Sequence, residues 1–189
     1  AGSTPIIEGD LLICMIGGSD KDSQDLAAGQ LDRAVGNGSG IVAFNKFTGE
    51  VKYRASDELA SYASPQLATI DGRRWAFLFA RGGLVGFDPT SGKVGFHYPW
   101  RAKILESVNA STPVVVGDEV FISETYGPGS SLLKIEPKGD EKFTVVWEDG
   151  KKRDKAMQTH WNTAVYHDGY LYGSSGRHSS NAELRCIDW

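Results

Sequence analysis

Nine side chains of chemically useful type stand just before or just after apolar runs that read as strands: Tyr62, Arg81, Asn109, Glu124, Tyr126, His160, Trp161, Asn162 and Arg177. If those runs lie side by side, their ends bring the nine together. A neighbourhood with that mix of aromatic, amide and charged groups suits a small molecule or a glycan. Plainer roles compete with this one. Residues 159–162 (Thr-His-Trp-Asn) are also what caps strand ends. Arg81 precedes Gly82-Gly83 and suits an ion pair with a neighbouring carboxylate. Glu124 fits either a carboxylate facing a central channel or one half of a structural ion pair. His178 reads as an exposed loop residue.

Other chemistries are weaker. Asp20, Asp22 and Asp25 place carboxylates at calcium-like spacing, but the glycine-containing twelve-residue loop of an EF-hand is missing, so a polar flexible insertion is expected. The glycines at 36, 38 and 40 mimic a phosphate loop only in number, because no helical pattern follows them. No Ser-His-Asp arrangement can be argued from spacing alone. Cys14 and Cys186, the only cysteines, both sit in apolar runs and read as two small buried hydrophobes. No catalytic residue and no metal ligand is assigned.

Composition narrows the classes further. The chain has 189 residues, 40% of them hydrophobic and 23% charged, which is globular rather than disordered. Twenty basic residues stand against 24 acidic ones, a net charge of −4, so there is no overall basic footprint for nucleic acid. One basic run at 151–155 reads as a solvated loop. Apolar runs such as 11–16 and 75–80 fall far short of the ~20 residues of a membrane helix.

The elements that must position these side chains are strands. Runs at 4–8, 11–16, 41–45 and 50–54 alternate with turn signals, interrupted by a Gly-rich insertion at 17–40. The same grammar returns at 64–70, 75–80, 84–88 and 93–98, with Asp71-Gly72 as a hairpin turn. A third set covers 112–116, 120–124, 131–136 and 143–148, with a degenerate turn before the last strand. A fourth covers 162–166, 170–174 and 183–188. Pro5, Pro65, Pro113 and Ala164 are equivalent, with spacings of 60, 48 and 51 residues. The first spacing is long because it holds the insertion. A period near fifty with four short strands predicts an all-β propeller of four-stranded antiparallel blades. The blades fall at about 1–56, 57–106, 107–157 and 158–189, the last one incomplete. Helical periodicity is absent; one turn at 57–62 is the best candidate.

Two segments carry a family resemblance. Residues 41–53 read IVAFNKFTGEVKY and residues 84–96 read LVGFDPTSGKVGF. Both resemble the tryptophan-docking repeat of the PQQ-like β-propellers, roughly A-x-D-x-x-T-G-K-x-x-W. Ala43, Asn45, Thr48, Gly49, Glu50 and Tyr53 match it in the first. Gly86, Asp88, Ser91, Gly92, Lys93 and Phe96 match it in the second. Tyr53 and Phe96 replace the tryptophan, Trp147 retains it in the third unit, and Cys186-Ile187-Asp188 begins the motif in the fourth. The chain is most similar to the non-catalytic outer-membrane assembly lipoprotein and to bacterial secreted relatives.

The resemblance implies a binding or scaffold module, periplasmic or secreted, that holds a protein partner or a carbohydrate-like ligand. It implies no cofactor, no nucleic acid and no transmembrane segment. Rings of this superfamily have about seven or eight blades, so the chain is expected to be part of a longer one or to pair with itself. The alternative is a fragment of a PQQ-dependent alcohol or sugar dehydrogenase, which would take PQQ with Ca2+. Its relatives carry a vicinal cysteine pair that this sequence lacks. Trp161, Glu124 and Asn109 are of the right type for a quinone site, but match none of its motifs.

Overall fold

The computed structural model describes residues 2–136, 138 and 142–189. Its strands form four separate antiparallel sheets, each built in sequence order. The first sheet holds β1 to β4 (Ile6–Glu8, Leu11–Met15, Ile41–Asn45, Val51–Ala55) and the second β5 to β8 (Gln66–Ile70, Arg73–Phe79, Gly83–Phe87, Val94–Pro99). The third holds β9 to β12 (Val114–Val116, Glu119–Ser123, Ser130–Ile135, Phe143–Glu148). The fourth has three strands, β13 to β15 (Val165–His167, Tyr170–Ser175, Glu183–Asp188). This is an open propeller of four blades, the last one strand short.

Strand periodicity explains why the blades stack. In β6, Trp75, Phe77 and Phe79 face the third blade, while Ala76 and Leu78, with Ala80 just beyond, face the first. A blade sandwiched between two others has no solvent face, so its inner strands read as unbroken apolar runs rather than alternating ones. The first core joins β2 and β3 to the second blade through Ile13, Met15, Ile41 and Ala43. The second joins β6 to β8 with Val120, Ile122, Leu133 and Ile135. The third packs Phe121 and Leu132 against Ala164 and Leu171. The outward face of the fourth blade is uncovered: Val165, Tyr172 and Cys186 lie side by side in register and are exposed.

The docking motif behaves locally as expected. Asn45 Oδ1 accepts the N–H groups of Phe47 and Thr48, each at 2.9 Å, and Asp88 Oδ1 accepts those of Thr90 at 2.8 Å and Ser91 at 3.2 Å. These are Asx turns, in which a short carboxylate or amide replaces a backbone acceptor. The aromatics then reach across the joints. The Tyr53 hydroxyl donates to Pro89 O at 2.8 Å, and the Phe96 ring lies 4.9 Å from that of Phe143. Trp147 and Trp189 both pack on Phe121. The degenerate turn expected between Glu136 and Phe143 falls largely outside the described residues.

A second kind of joint runs along the axis, where β9 touches both β5 and β13. Thr4 N–H donates to Ser64 Oγ at 2.9 Å, Ser64 N–H to Thr112 Oγ1 at 3.3 Å, and Thr112 N–H to Thr163 Oγ1 at 3.0 Å. Each of these four residues stands immediately before Pro5, Pro65, Pro113 or Ala164. The hydroxyl of one blade thus satisfies the backbone donor of the one before it.

Three expectations need correction. The turn at 57–62 is not helical. The short helices lie in the insertion instead, at Lys21–Gln24 and as a 3-10 segment at Ala28–Arg33. Asp20 N-caps the first of them, accepting Ser23 N–H at 2.8 Å, so this carboxylate serves a helix end. Cys186 is exposed and Cys14 only half-buried, because each lies on an outer blade with one neighbour. The insertion is packed as well as polar: residues 17–40 lie along 56–60, with Gly40 N–H donating to Ser56 O at 2.9 Å.

Candidate binding site at the axial end

The segments entering β5 and β13 and those leaving β10 and β14 meet at one end of the blades. There Tyr62 and Trp161 contact edge to face, with centroids 4.7 Å apart. His160 lies 5.3 Å from Trp161 and 5.6 Å from Tyr126. The Tyr126 hydroxyl and His160 Nε2 share a hydrogen bond of 3.0 Å. The Arg177 guanidinium sits 4.6 Å over the Tyr126 ring, a cation–π contact. Five of the nine expected residues therefore form one surface. Trp161 is 57% exposed and Tyr62 40%, so the rings lie on the surface rather than filling the core.

The remaining four lie elsewhere. Asn162 braces the histidine loop: its Oδ1 accepts His160 N–H at 3.3 Å and its Nδ2 donates to Ser174 O at 3.1 Å. Glu124 is buried, and its carboxylate accepts the N–H groups of Tyr126 at 2.7 Å, Gly127 at 2.8 Å and Gly129 at 3.2 Å. It neither faces open space nor belongs to an ion pair among the described residues; it shapes the turn that carries Tyr126. Asn109 is fully buried and donates to Ala80 O at 2.7 Å and Trp100 O at 3.1 Å. Its own carbonyl accepts the Tyr62 and Ala63 N–H groups, both at 3.1 Å. Arg81 stands apart, in a cavity of about 180 Å³ with Arg101, Asp32 and Glu58, and makes no ion pair among the described residues.

Electrostatics follow from this packing. Burial, then the Arg177 and His178 charges, hold His160 below the ordinary histidine value, which favours a neutral ring bonded to Tyr126. Burial raises the Tyr126 pKa while Arg177 opposes it. Burial also raises that of Glu124, against the pull of its three backbone donors. The surface thus combines a neutral imidazole, a phenol, an indole and one cation over a ring. Among the described residues, no three His, Cys, Asp or Glu side chains converge to hold a cation.

Sequence reasoning missed Arg101, Asp32 and the axial Ser/Thr series. The series carried a readable signal, a hydroxyl residue before each strand-opening Pro or Ala. Arg101 and Asp32 carried none, because their proximity depends on how the insertion folds back.

Comparison with known proteins agrees with this architecture. The family model described as outer membrane protein assembly factor BamB, a PQQ-repeat model, matches residues 3–188. No curated protein matches the chain. The chain belongs to this BamB-like family of PQQ-repeat β-propellers.

Proposed function

We propose that this member of the BamB-like propellers is a non-catalytic binding module that docks a protein segment on the surface formed by Tyr62, Trp161, His160, Tyr126 and Arg177. The observation that carries the reading is the exposed aromatic pair, Trp161 at 57% and Tyr62 at 40%, in edge-to-face contact. Rigid aromatics and an arginine are the groups that dominate protein interfaces. The family description, an assembly factor, favours a protein partner over a carbohydrate-like ligand, and an assembly site outside the cytoplasm of a bacterium. No helix among the described residues is long and apolar enough to cross a membrane. The uncovered face of the fourth blade is suited to further blades or to a second copy.

The quinone reading has less support. Glu124 spends its carboxylate on three backbone N–H groups, and Asn109 is fully buried, its Nδ2 donating to Ala80 O and Trp100 O, so neither opens onto a ligand space. The residues present do not fit PQQ with Ca2+.

The test places a photo-crosslinking residue at Trp161 and, as a control, at Phe47, which is 77% exposed at the opposite end of the blades. A defined protein crosslinked from Trp161 only, and lost in a Tyr62→Ala background that melts normally, supports the proposal. Equal crosslinking from both positions overturns it. So does saturable binding of a glycan in place of a protein, or dye-linked alcohol oxidation after addition of PQQ and Ca2+.

A further inference from the structure

The cavity that holds Arg81 has a feature the aromatic surface lacks. Arg81 Nε and Nη2 and Arg101 Nε are all buried without a hydrogen-bond partner among the described residues. A buried donor left unpaired costs about 1–3 kcal/mol, more if charged. Three such donors from two guanidiniums at one place therefore point to an absent acceptor. The nearby carboxylates do not supply it. Glu58 is taken up by His97 Nε2 and by Gly82 N–H, each at 2.7 Å. Asp32 and Asp57 line the cavity without reaching ion-pair distance of either arginine. Burial, with the Arg101 charge second, pulls the Arg81 pKa below its ordinary value, as expected for two like charges held together.

We propose that Arg81 and Arg101 form a carboxylate-binding site, walled by the insertion through Asp32, that accepts a monocarboxylate carried on an apolar stem. A guanidinium presents planar N–H donors that match a carboxylate. A second cavity of about 330 Å³ adjoins the first and shares Asp32 and Arg101 with it; Ala102, Ile104 and Leu105 line it. That gives the stem an apolar shelf directly beside the charge pair. Arg81, Arg101 and Lys103 stand against Asp32, Asp57 and Glu58, so the lining is balanced in formal charge and the unpaired donors of the two guanidiniums, rather than a net positive field, select the ligand. A phosphate, with more charge than a carboxylate, would meet the three acidic side chains of the lining. The carboxylate comes either from a small acid or from a peptide C-terminus. The site is independent of the aromatic surface.

The test follows the arginine Nε–H signals of the whole chain by 15N NMR while hexanoate, hexanol or inorganic phosphate is added. Hexanoate should shift the Arg81 and Arg101 signals and saturate with a Kd of about 1 mM or tighter. Hexanol should not saturate. Arg81→Gln and Arg101→Gln should each weaken hexanoate at least about tenfold, while Trp161→Ala leaves it unchanged. If Arg81→Gln fails to fold, Arg101→Gln and the unmodified chain still decide. A short peptide ending in leucine, compared as free acid and as amide, separates the sources. Tighter binding of the free acid than of hexanoate assigns the site to a peptide terminus; the reverse assigns it to a small acid. Unmoved arginine signals in hexanoate, or phosphate binding as tight as hexanoate, overturns the proposal.

Discussion

Gly49 and Gly92 occupy the same place in two copies of the docking turn, and they make a matched pair. Their φ angles are +75° and +74°, a conformation that costs an L-residue about 1–2 kcal/mol. Their surroundings differ. A Cβ on Gly49 meets nothing within 4 Å, whereas one on Gly92 would stand 2.4 Å from Cδ2 and 2.7 Å from Cε2 of Tyr53, the aromatic that reaches across from the first blade. Gly49→Ala therefore carries the backbone penalty alone, less the unfolded-state gain of about 0.4–1 kcal/mol that both variants share. Gly92→Ala carries the same penalty and must also displace the Tyr53 ring, an overpacking cost of about 1–3 kcal/mol. The difference between the two variants isolates the blade-to-blade contact. For a chain of this size about 1 kcal/mol moves the midpoint by ~2–4 °C. Gly92→Ala should thus melt about 2–12 °C below Gly49→Ala. Tryptophan fluorescence in urea gives the same comparison as free energies. In a double-mutant cycle, Tyr53→Ala should remove the extra cost of Gly92→Ala, because the added methyl then has room. Equal destabilisation by the two glycine substitutions, or no relief in the double variant, refutes the assignment of Tyr53 as the joint.

Three further outcomes are expected. Thr112→Val removes the acceptor of the Ser64 N–H and should cost about 1 kcal/mol, with Thr112→Ser restoring it; an unchanged urea midpoint for Thr112→Val would show that the axial bonds add nothing. His160 should titrate below about 6.5 in an NMR pH series, since its folded-state value is depressed by burial, Arg177 and His178. Its contribution to stability is then present above the unfolded value and lost as pH falls through the folded one, so the wild type should lose melting temperature relative to His160→Gln on acidification; a midpoint at or above the ordinary value contradicts this. Cys186, exposed, should react with a maleimide several-fold faster than Cys14, whose half-burial raises its pKa; equal rates would mean that the fourth blade's outer face is covered in solution.

The blades were legible because their physics is local. An Asx residue, a left-handed glycine and alternating apolar residues specify a docking hairpin within a dozen positions, and the strand ends fell within three residues of expectation. Burial class was less legible. The run at 75–80 is unbroken because it is covered on both sides, yet the same reasoning wrongly buried Cys186, whose strand has only one neighbouring blade. The aromatic surface was half legible: Tyr62, Trp161, His160, Tyr126 and Arg177 were recovered by their place at strand ends. Glu124 and Asn109 shared that place, but their side chains turn inward to satisfy backbone groups, which sequence position cannot reveal. The cavity of the arginine pair was the least legible: the blade itself brings Arg81 and Arg101 together, with Trp100 N–H donating to Gly82 O between them, but its Asp32 wall needs the 3-10 segment of the insertion to lie beside the end of β8.

The axial bonds among Thr4, Ser64, Thr112 and Thr163 always run in one sense, N–H of one blade to hydroxyl of the next. Every joint therefore has the same plug and the same socket. Excision of the third blade would leave Ser64 N–H facing Thr163 Oγ1, the same donor and acceptor chemistry it has now with Thr112. The axis thus imposes no particular blade number or order; those are chosen by the side chains between the sheets. A propeller jointed in this way can gain, lose or exchange a blade by duplication without redesigning its centre.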